Sequence, residues 1–184
     1  MQFDQEVLPG TWLLSLKRFE DARGSFVKTY ARSVFDAVLA RAGADGPAFD
    51  FREEFYSLSN KDVVRGMHFQ LPPHDHVKLV YCAAGAVQDV LLDLRKGPGY
   101  GRSVAVRLDA DTPRLLFIPK GIAHGFVSLC DGSLMVYKTS TEHAPSHDAG
   151  VRFDSFGHDW GCDAPILSAR DQGHPALADF DSPF

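Results

Sequence analysis

The 184-residue sequence has no apolar run approaching the length that crosses a bilayer. Its opening residues, Met1-Gln2-Phe3-Asp4-Gln5-Glu6, lack the character of a signal peptide. Cysteine is scarce: Cys82, Cys130 and Cys162 are odd in number, widely spaced and form no CxxC pair. Three reduced, mostly structural thiols in a cytoplasmic protein is the simplest account. Positive charge is also short, with a net charge of −5. Nothing global therefore points to nucleic acid or to an anionic membrane as partner. Any anion site has to be built locally from a few Arg and Lys.

What is present is ordinary for a soluble globular chain, with 45% apolar and 23% charged residues. The length suits one sizeable core, and residues 1–184 read as a single domain. Sixteen Gly and eleven Pro punctuate short apolar runs, which points to an all-β chain with many turns. Strands are expected at 11–16 and 26–30, with Asp21-Ala22-Arg23-Gly24 as a turn between them. One helix is expected at 33–42, with Ser33 as N-cap and Gly43 at its end. Val34, Phe35, Val38, Leu39 and Ala42 fall on one face of it, as core packing does. From Phe49 onward the pattern is of strands. Phe51, Glu53, Phe55, Ser57 and Ser59 share one face of an extended run. Further strands follow at 63–70, 78–83, 87–94, 103–108, 115–118, 125–129 and 134–139. In 87–94, Gln88, Val90, Leu92 and Leu94 fall on one side and Asp89 and Asp93 on the other. After Thr141 the chain is irregular, and a coil carrying Trp160 is expected to lie against the sheet. No β-helix-β alternation appears, so the architecture is a sandwich or barrel.

Four constellations carry possible chemistry. Arg65, His68 and Lys78 lie within fourteen residues among apolar and β-branched neighbours. Burying cations beside an imidazole is costly without an anionic ligand. Arg and Lys would hold negative charge, and His titrates near neutral pH. Taken alone, the stretch reads equally as a strand with solvated basic residues. Arg65 and His68 differ by three, so they share a face only if the strand is irregular near Gly66-Met67. The second constellation is Pro119-Lys120-Gly121-Ile122-Ala123-His124, which resembles the second half of the cupin signature. With His74 and His76, His124 would make a three-histidine metal site, but no Glu follows at the expected offset and Lys78 adds positive charge there. The third is Tyr137, whose phenol would suit protonation of a carbanion or enolate if it faces a cavity; a packed aromatic is the commoner case. The fourth is Asp171, a carboxylate able to orient a distant imidazole. On local sequence alone, Asp171 and Arg23 both read as solvated.

Together these pieces resemble the dTDP-4-dehydrorhamnose 3,5-epimerase family of the cupin superfamily. The segments stand in family order: Asp21-x-Arg23-Gly24-x-Phe26; Ser57-x-Ser59; Val64-Arg65-Gly66-Met67-His68-Phe69-Gln70; Lys78-Leu79-Val80; Asp93-Leu94-Arg95; Ile118-Pro119-x-Gly121-x-Ala123-His124-Gly125-Phe126; Tyr137-Lys138; and Leu167-Ser168-x-x-Asp171. The resemblance implies a cupin-type jelly roll with one short N-terminal helix and a C-terminal coil or helical segment. It implies an epimerase that inverts C3, C5 or both of a nucleotide-linked 4-keto-6-deoxysugar through an enolate. His68 resembles the base, Asp171 its paired carboxylate, Tyr137 the acid on the opposite face, and Lys78 the cation at the enolate oxygen. Arg65 and His124 would line the same cavity. Arg23, with Phe26 in the same segment, resembles a contribution to the nucleotide site across a homodimer interface. No metal and no organic cofactor are implied.

The chemistry fits independently. A 4-keto group acidifies the hydrogens at C3 and C5, so inversion needs a base, an acid on the other face and a cation at the oxyanion. A nucleotide diphosphate supplies the anion for Arg65 and Arg23. The sequence also departs from the family at substrate-contacting positions. Glu53 and Phe55 stand where Gln and Asn are usual, His143 where Tyr is frequent, and His76 where Gln is common. These changes point to altered specificity. The competing readings are a 3,4-ketoisomerase on the same scaffold, a metal cupin using His74, His76 and His124, and a non-catalytic sugar-binding module.

Overall fold

The computed structural model describes residues 1–41 and 49–184. The chain opens with the antiparallel pair β1 (Gln2–Leu8) and β2 (Thr11–Ser15), then the hairpin β3 (Arg18–Asp21) and β4 (Gly24–Val27). Helix α1 (Arg32–Arg41) follows. Next come β5 (Glu53–Ser59), β6 (Val64–Gln70), β7 (Lys78–Ala84) and β8 (Ala86–Asp93). β9 (Ser103–Asp109), β10 (Arg114–Ile118), β11 (Ile122–Ser128) and β12 (Ser133–Thr139) complete the long strands. The short strand β13 (Asp148–Gly150), helix α2 (Ala169–Gln172) and a 3-10 turn (Leu177–Asp179) lie in the C-terminal coil.

The strands form a jelly-roll sandwich of two main sheets. One has the order β1-β2-β10-β7-β12-β5 and the other β13-β6-β11-β8-β9. Leu13, Val80, Leu91 and Phe126 meet between the sheets. α1 covers the outside of the first sheet, where Phe35 and Leu39 pack on Trp12, Leu79 and Phe117. The C-terminal coil covers the outside of the second, where Trp160 and Val151 join Val64, Phe69 and Leu92. Each sheet is therefore dry on both faces over much of its area. None of the helices among the described residues is long and apolar enough to cross a membrane.

Several expectations shift. β1 was not legible, because an edge strand exposed on both faces carries no apolar alternation. The strand expected at 26–30 ends at Val27, where its hairpin partner ends at Arg18. Tyr30 instead turns in to pack on Phe35 and Phe49. α1 begins one residue earlier than expected, and the Ala31 carbonyl accepts from Val34 and Phe35, so Ser33 lies inside the helix and is not its cap. Val34 is exposed, while Phe35, Val38 and Leu39 are buried. Ala42 and Gly43 lie outside the described residues. β11 starts at Ile122, because β8 pairs with it from Asp93 onward. All three cysteines are free thiols.

The irregularity expected at Gly66-Met67 is present. On β6 and β11, His68 faces His124 and Arg65 faces Phe126, so β6 carries one extra residue there. Gly66 has φ +142°, and a Cβ on it would stand 2.6 Å from the Cα of Gly125. Only glycine meets both conditions at once. Gly66→Ala is expected to lower stability by about 2–4 kcal/mol through backbone strain and overpacking. Urea unfolding of the variant against the parent chain measures it.

Candidate active site

The bulge on β6 turns Arg65 and His68 toward one cavity of about 380 Å³. β6 and β11 supply one wall, with Arg65, His68 and His124. β5, β7 and β12 supply the facing wall, with Glu53, Phe55, Lys78 and Tyr137. The two walls belong to opposite sheets. A ligand between them meets the imidazoles from one side and the ammonium and phenol from the other.

His68 Nε2 stands 2.7 Å from Asp171 Oδ1. Asp171 reaches it from α2, whose N-cap Ser168 accepts the Asp171 backbone N–H at 3.1 Å. The other carboxylate oxygen accepts from the Gly66 backbone N–H at 3.3 Å. Burial alone would raise the Asp171 carboxyl, but the His68 hydrogen bond and charge, with Gly66 and Ser168, outweigh it and hold it below the usual carboxylate range. It is therefore an acceptor, and His68 donates Nε2–H to it. That fixes the tautomer and leaves Nδ1 with a lone pair. Burial lowers the His68 pKa, with Asp171 opposing and Lys78 and Arg170 assisting, so the ring is neutral near pH 7.

Lys78 is buried, and its Nζ donates to the His68 carbonyl at 3.1 Å. Burial brings its pKa down to about 8, only partly countered by Asp148 and Asp89. Tyr137 is buried too, and burial raises its phenol well above the ordinary value. The phenol stays protonated and shares a hydrogen bond with Ser57 Oγ at 3.1 Å. Ser59 Oγ accepts from Arg65 Nε at 3.0 Å. The paired serines of the Ser57-x-Ser59 segment thus position the tyrosine and the arginine.

The departures noted in the sequence sit in the same cavity. The Phe55 ring stacks on Tyr137, with centroids 4.8 Å apart and planes at 14°. Glu53 accepts the His143 backbone N–H at 2.8 Å, and both residues line the cavity. His76 also lines it; burial pushes its imidazole down to about 2, and Nδ1 accepts from Gln70 at 3.1 Å. Arg23 and Phe26 do not reach the cavity of their own chain. Arg23 pairs with Asp21 at 2.6 Å on an exposed hairpin, and Phe26 is exposed beside it.

His74, His76 and His124 do not form the metal site considered above. His74 packs against His147, with ring centroids 4.4 Å apart and planes tilted by 48°, while His124 is bound to Asp89. Among the described residues, the one grouping of three potential ligands is His68, Asp171 and His174. Sequence reasoning missed Asp89, which is fully buried and lies 2.8 Å from His124 Nε2. Burial raises its carboxyl, and His124 counters this. Alternation placed Asp89 on a polar face. That face is in fact the sandwich interior, and the opposite face is buried by the C-terminal coil. His174 and Arg170 were missed as well, since the coil that carries them has no periodicity to read.

Known proteins resemble this chain over most of its length. The family model described as dTDP-4-dehydrorhamnose 3,5-epimerase matches residues 5–179. The dTDP-4-dehydrorhamnose 3,5-epimerase of Shigella flexneri is 35% identical over 177 residues, covering 95% of this chain and 94% of that protein. NovW, a 4-keto-6-deoxy sugar epimerase of the Streptomyces spheroides novobiocin cluster, superposes with a TM-score of 0.88 at 34% identity, over 97% of this chain and 88% of that one. ChmJ, a 3'-monoepimerase from Streptomyces bikiniensis solved with dTDP-quinovose, gives 0.82 at 29% identity, over 92% and 84%. The chain belongs to the dTDP-4-dehydrorhamnose 3,5-epimerase family.

Proposed function

We propose that this chain is an epimerase that inverts C3, C5 or both of a dTDP-linked 4-keto-6-deoxysugar through an enolate. The observation that carries the reading is the division of the cavity. A neutral imidazole oriented by a buried carboxylate lies on one wall, and a protonated phenol on the other. His68 Nδ1 removes the proton beside the ketone. The ammonium of Lys78 stabilises the enolate oxygen as charge develops. Tyr137 returns a proton from the opposite face, which inverts the centre. His124, bound to Asp89, and Arg65 complete the wall around the sugar and its diphosphate. Glu53, Phe55 and His143 set which sugar and which carbon are accepted. Residues 1–184 act as one domain, in the cytoplasm with the soluble nucleotide-sugar. The enzyme works as a homodimer in which the exposed Arg23 and Phe26 of one copy meet the nucleotide at the other.

Proton NMR of dTDP-4-keto-6-deoxyglucose in deuterated water tests the reading. Loss of the C3 signal, the C5 signal or both, with an inverted product, is the expected result. A ketone that migrates to C3, or no exchange with dTDP-, GDP- and CDP-linked sugars alike, overturns it. His68→Ala is expected to cost at least about 10²–10⁴ in exchange rate while far-UV circular dichroism is unchanged. Tyr137→Phe should slow inversion more than carbon–hydrogen exchange, read by comparing product formation with deuterium uptake. Equal loss of both would remove Tyr137 from the acid's role.

The pH profile follows from two opposed requirements. His68 must be neutral, so kcat/KM falls as pH drops through a pKa below the free-histidine value of about 6.5. Lys78 must be charged, so kcat/KM falls again as pH rises through about 8. A bell is expected, and Lys78→Met should lower the rate and remove its basic limb.

A further inference from the structure

Asp171 faces two imidazoles. His68 Nε2 lies 2.7 Å from its Oδ1, and His174 Nε2 lies 3.8 Å from the same oxygen. The two rings meet edge to face, with centroids 5.7 Å apart. His174 is largely buried, with 11% of its side chain exposed, and its Nε2 has no hydrogen-bond partner among the described residues. Nothing in the proton chemistry above uses it. The fold nevertheless makes room for it. β13 passes so close that a Cβ on Gly150 would stand 2.4 Å from His174 Nε2. Gly150 is paired with His68 in the sheet, so His174 packs directly against the strand pair that carries the base.

We propose that His68, Asp171 and His174 form a binding site for a divalent transition cation of zinc type, and that filling it switches the base off. The second half rests on His68 acting as the base. The three donor atoms lie within 4.8 Å of one another. Ligands of a tetrahedral zinc ion stand roughly 3.3 Å apart, given bond lengths of about 2.0–2.2 Å. The two spacings of 2.7 and 3.8 Å straddle that value, so small side-chain rotations bring all three into range. Two imidazoles and one carboxylate suit zinc and exclude calcium or magnesium, which require more oxygen ligands. His68 also lines the cavity, so the site adjoins the space a sugar would fill.

The switch lies in the tautomer. In the cation-free chain His68 gives Nε2–H to Asp171 and keeps a lone pair on Nδ1. A cation bound at Nε2 uses the lone pair of that nitrogen, which is free only when the single ring proton sits on Nδ1 instead. No proton is gained or lost by the imidazole. Nδ1–H is a donor and can no longer accept the sugar's proton. Nearby charge limits the affinity. Arg170 is held by Asp148 at 2.6 Å, but the Lys78 ammonium lies beside the His68 carbonyl. The site therefore suits reversible occupation rather than a resident cofactor.

The test begins with the chelator-stripped full chain, titrated with Zn²⁺ against a chromophoric competitor and with no sugar present. One Zn²⁺ per chain is expected, with affinity weakened more than about tenfold in His174→Ala. Equal binding in that variant overturns the site. Imidazole ¹⁵N spectra of the unsubstituted chain give a second readout that needs no variant. Nε2 of His68 and His174 should shift together on Zn²⁺ addition, and shifts confined to other histidines overturn the proposal. Sugar carbon–hydrogen exchange is then followed at a saturating Zn²⁺ concentration. Exchange should stop in the parent chain and continue in His174→Ala at its zinc-free rate. Zinc bound at this site with exchange undiminished overturns the switch, and with it the assignment of His68 as base.

Discussion

The approach of two strands at Gly66 and Gly125 is the constraint on which the site depends. A regular β6 would send Arg65 and His68 to opposite faces, because side chains alternate along a strand. The extra residue opposite Gly125 cancels that alternation, and both face the cavity. It works only because Gly66 and Gly125 carry no side chains where their backbones meet. A Cβ on Gly125 would stand 2.7 Å from the Arg65 carbonyl oxygen, and one on Gly66 would stand 2.6 Å from the Gly125 Cα. The same stretch of backbone also holds Asp171, through the Gly66 N–H. One local irregularity thus aims His68 and anchors the carboxylate that orients its ring.

Around that point the two sheets divide the labour. The second sheet contributes imidazoles, each tied to a carboxylate that is buried beneath it. The first contributes Lys78 and Tyr137, whose burial moves one group down and the other up. Burial makes the ammonium easier to discharge and the phenol harder to ionise, because low polarity disfavours charge in either. The cavity therefore holds an imidazole, a phenol and an ammonium whose states at neutral pH follow from where each is placed.

Much of this was legible in the sequence, and the parts that were not share a cause. A sandwich or barrel followed from short apolar runs separated by turn residues, and the jelly roll from the family resemblance. The bulge followed from the three-residue spacing of Arg65 and His68. Strand alternation misplaced Asp89, because β8 is buried on both faces and a pattern of inside and outside carries no information there. β1 was missed for the opposite reason, since it is exposed on both faces. Asp171 was visible only through the family resemblance, as the coil that delivers it has no period. His174 was invisible even so, and only the folded chain brings it to the same carboxylate.

The segment that carries Asp171 has a second duty, which couples chemistry to assembly. It lies 103 residues after His68 in the chain, and it also shields the apolar outer face of the second sheet. The sandwich strands through β12 all precede it in the chain. Until it docks, that face is open to water and to other chains, and His68 lacks its partner. The contacts that cover that apolar surface and the one that completes the His68–Asp171 pair come from the same segment. A chain without this segment would bare the apolar face and leave His68 without its carboxylate in the same stroke.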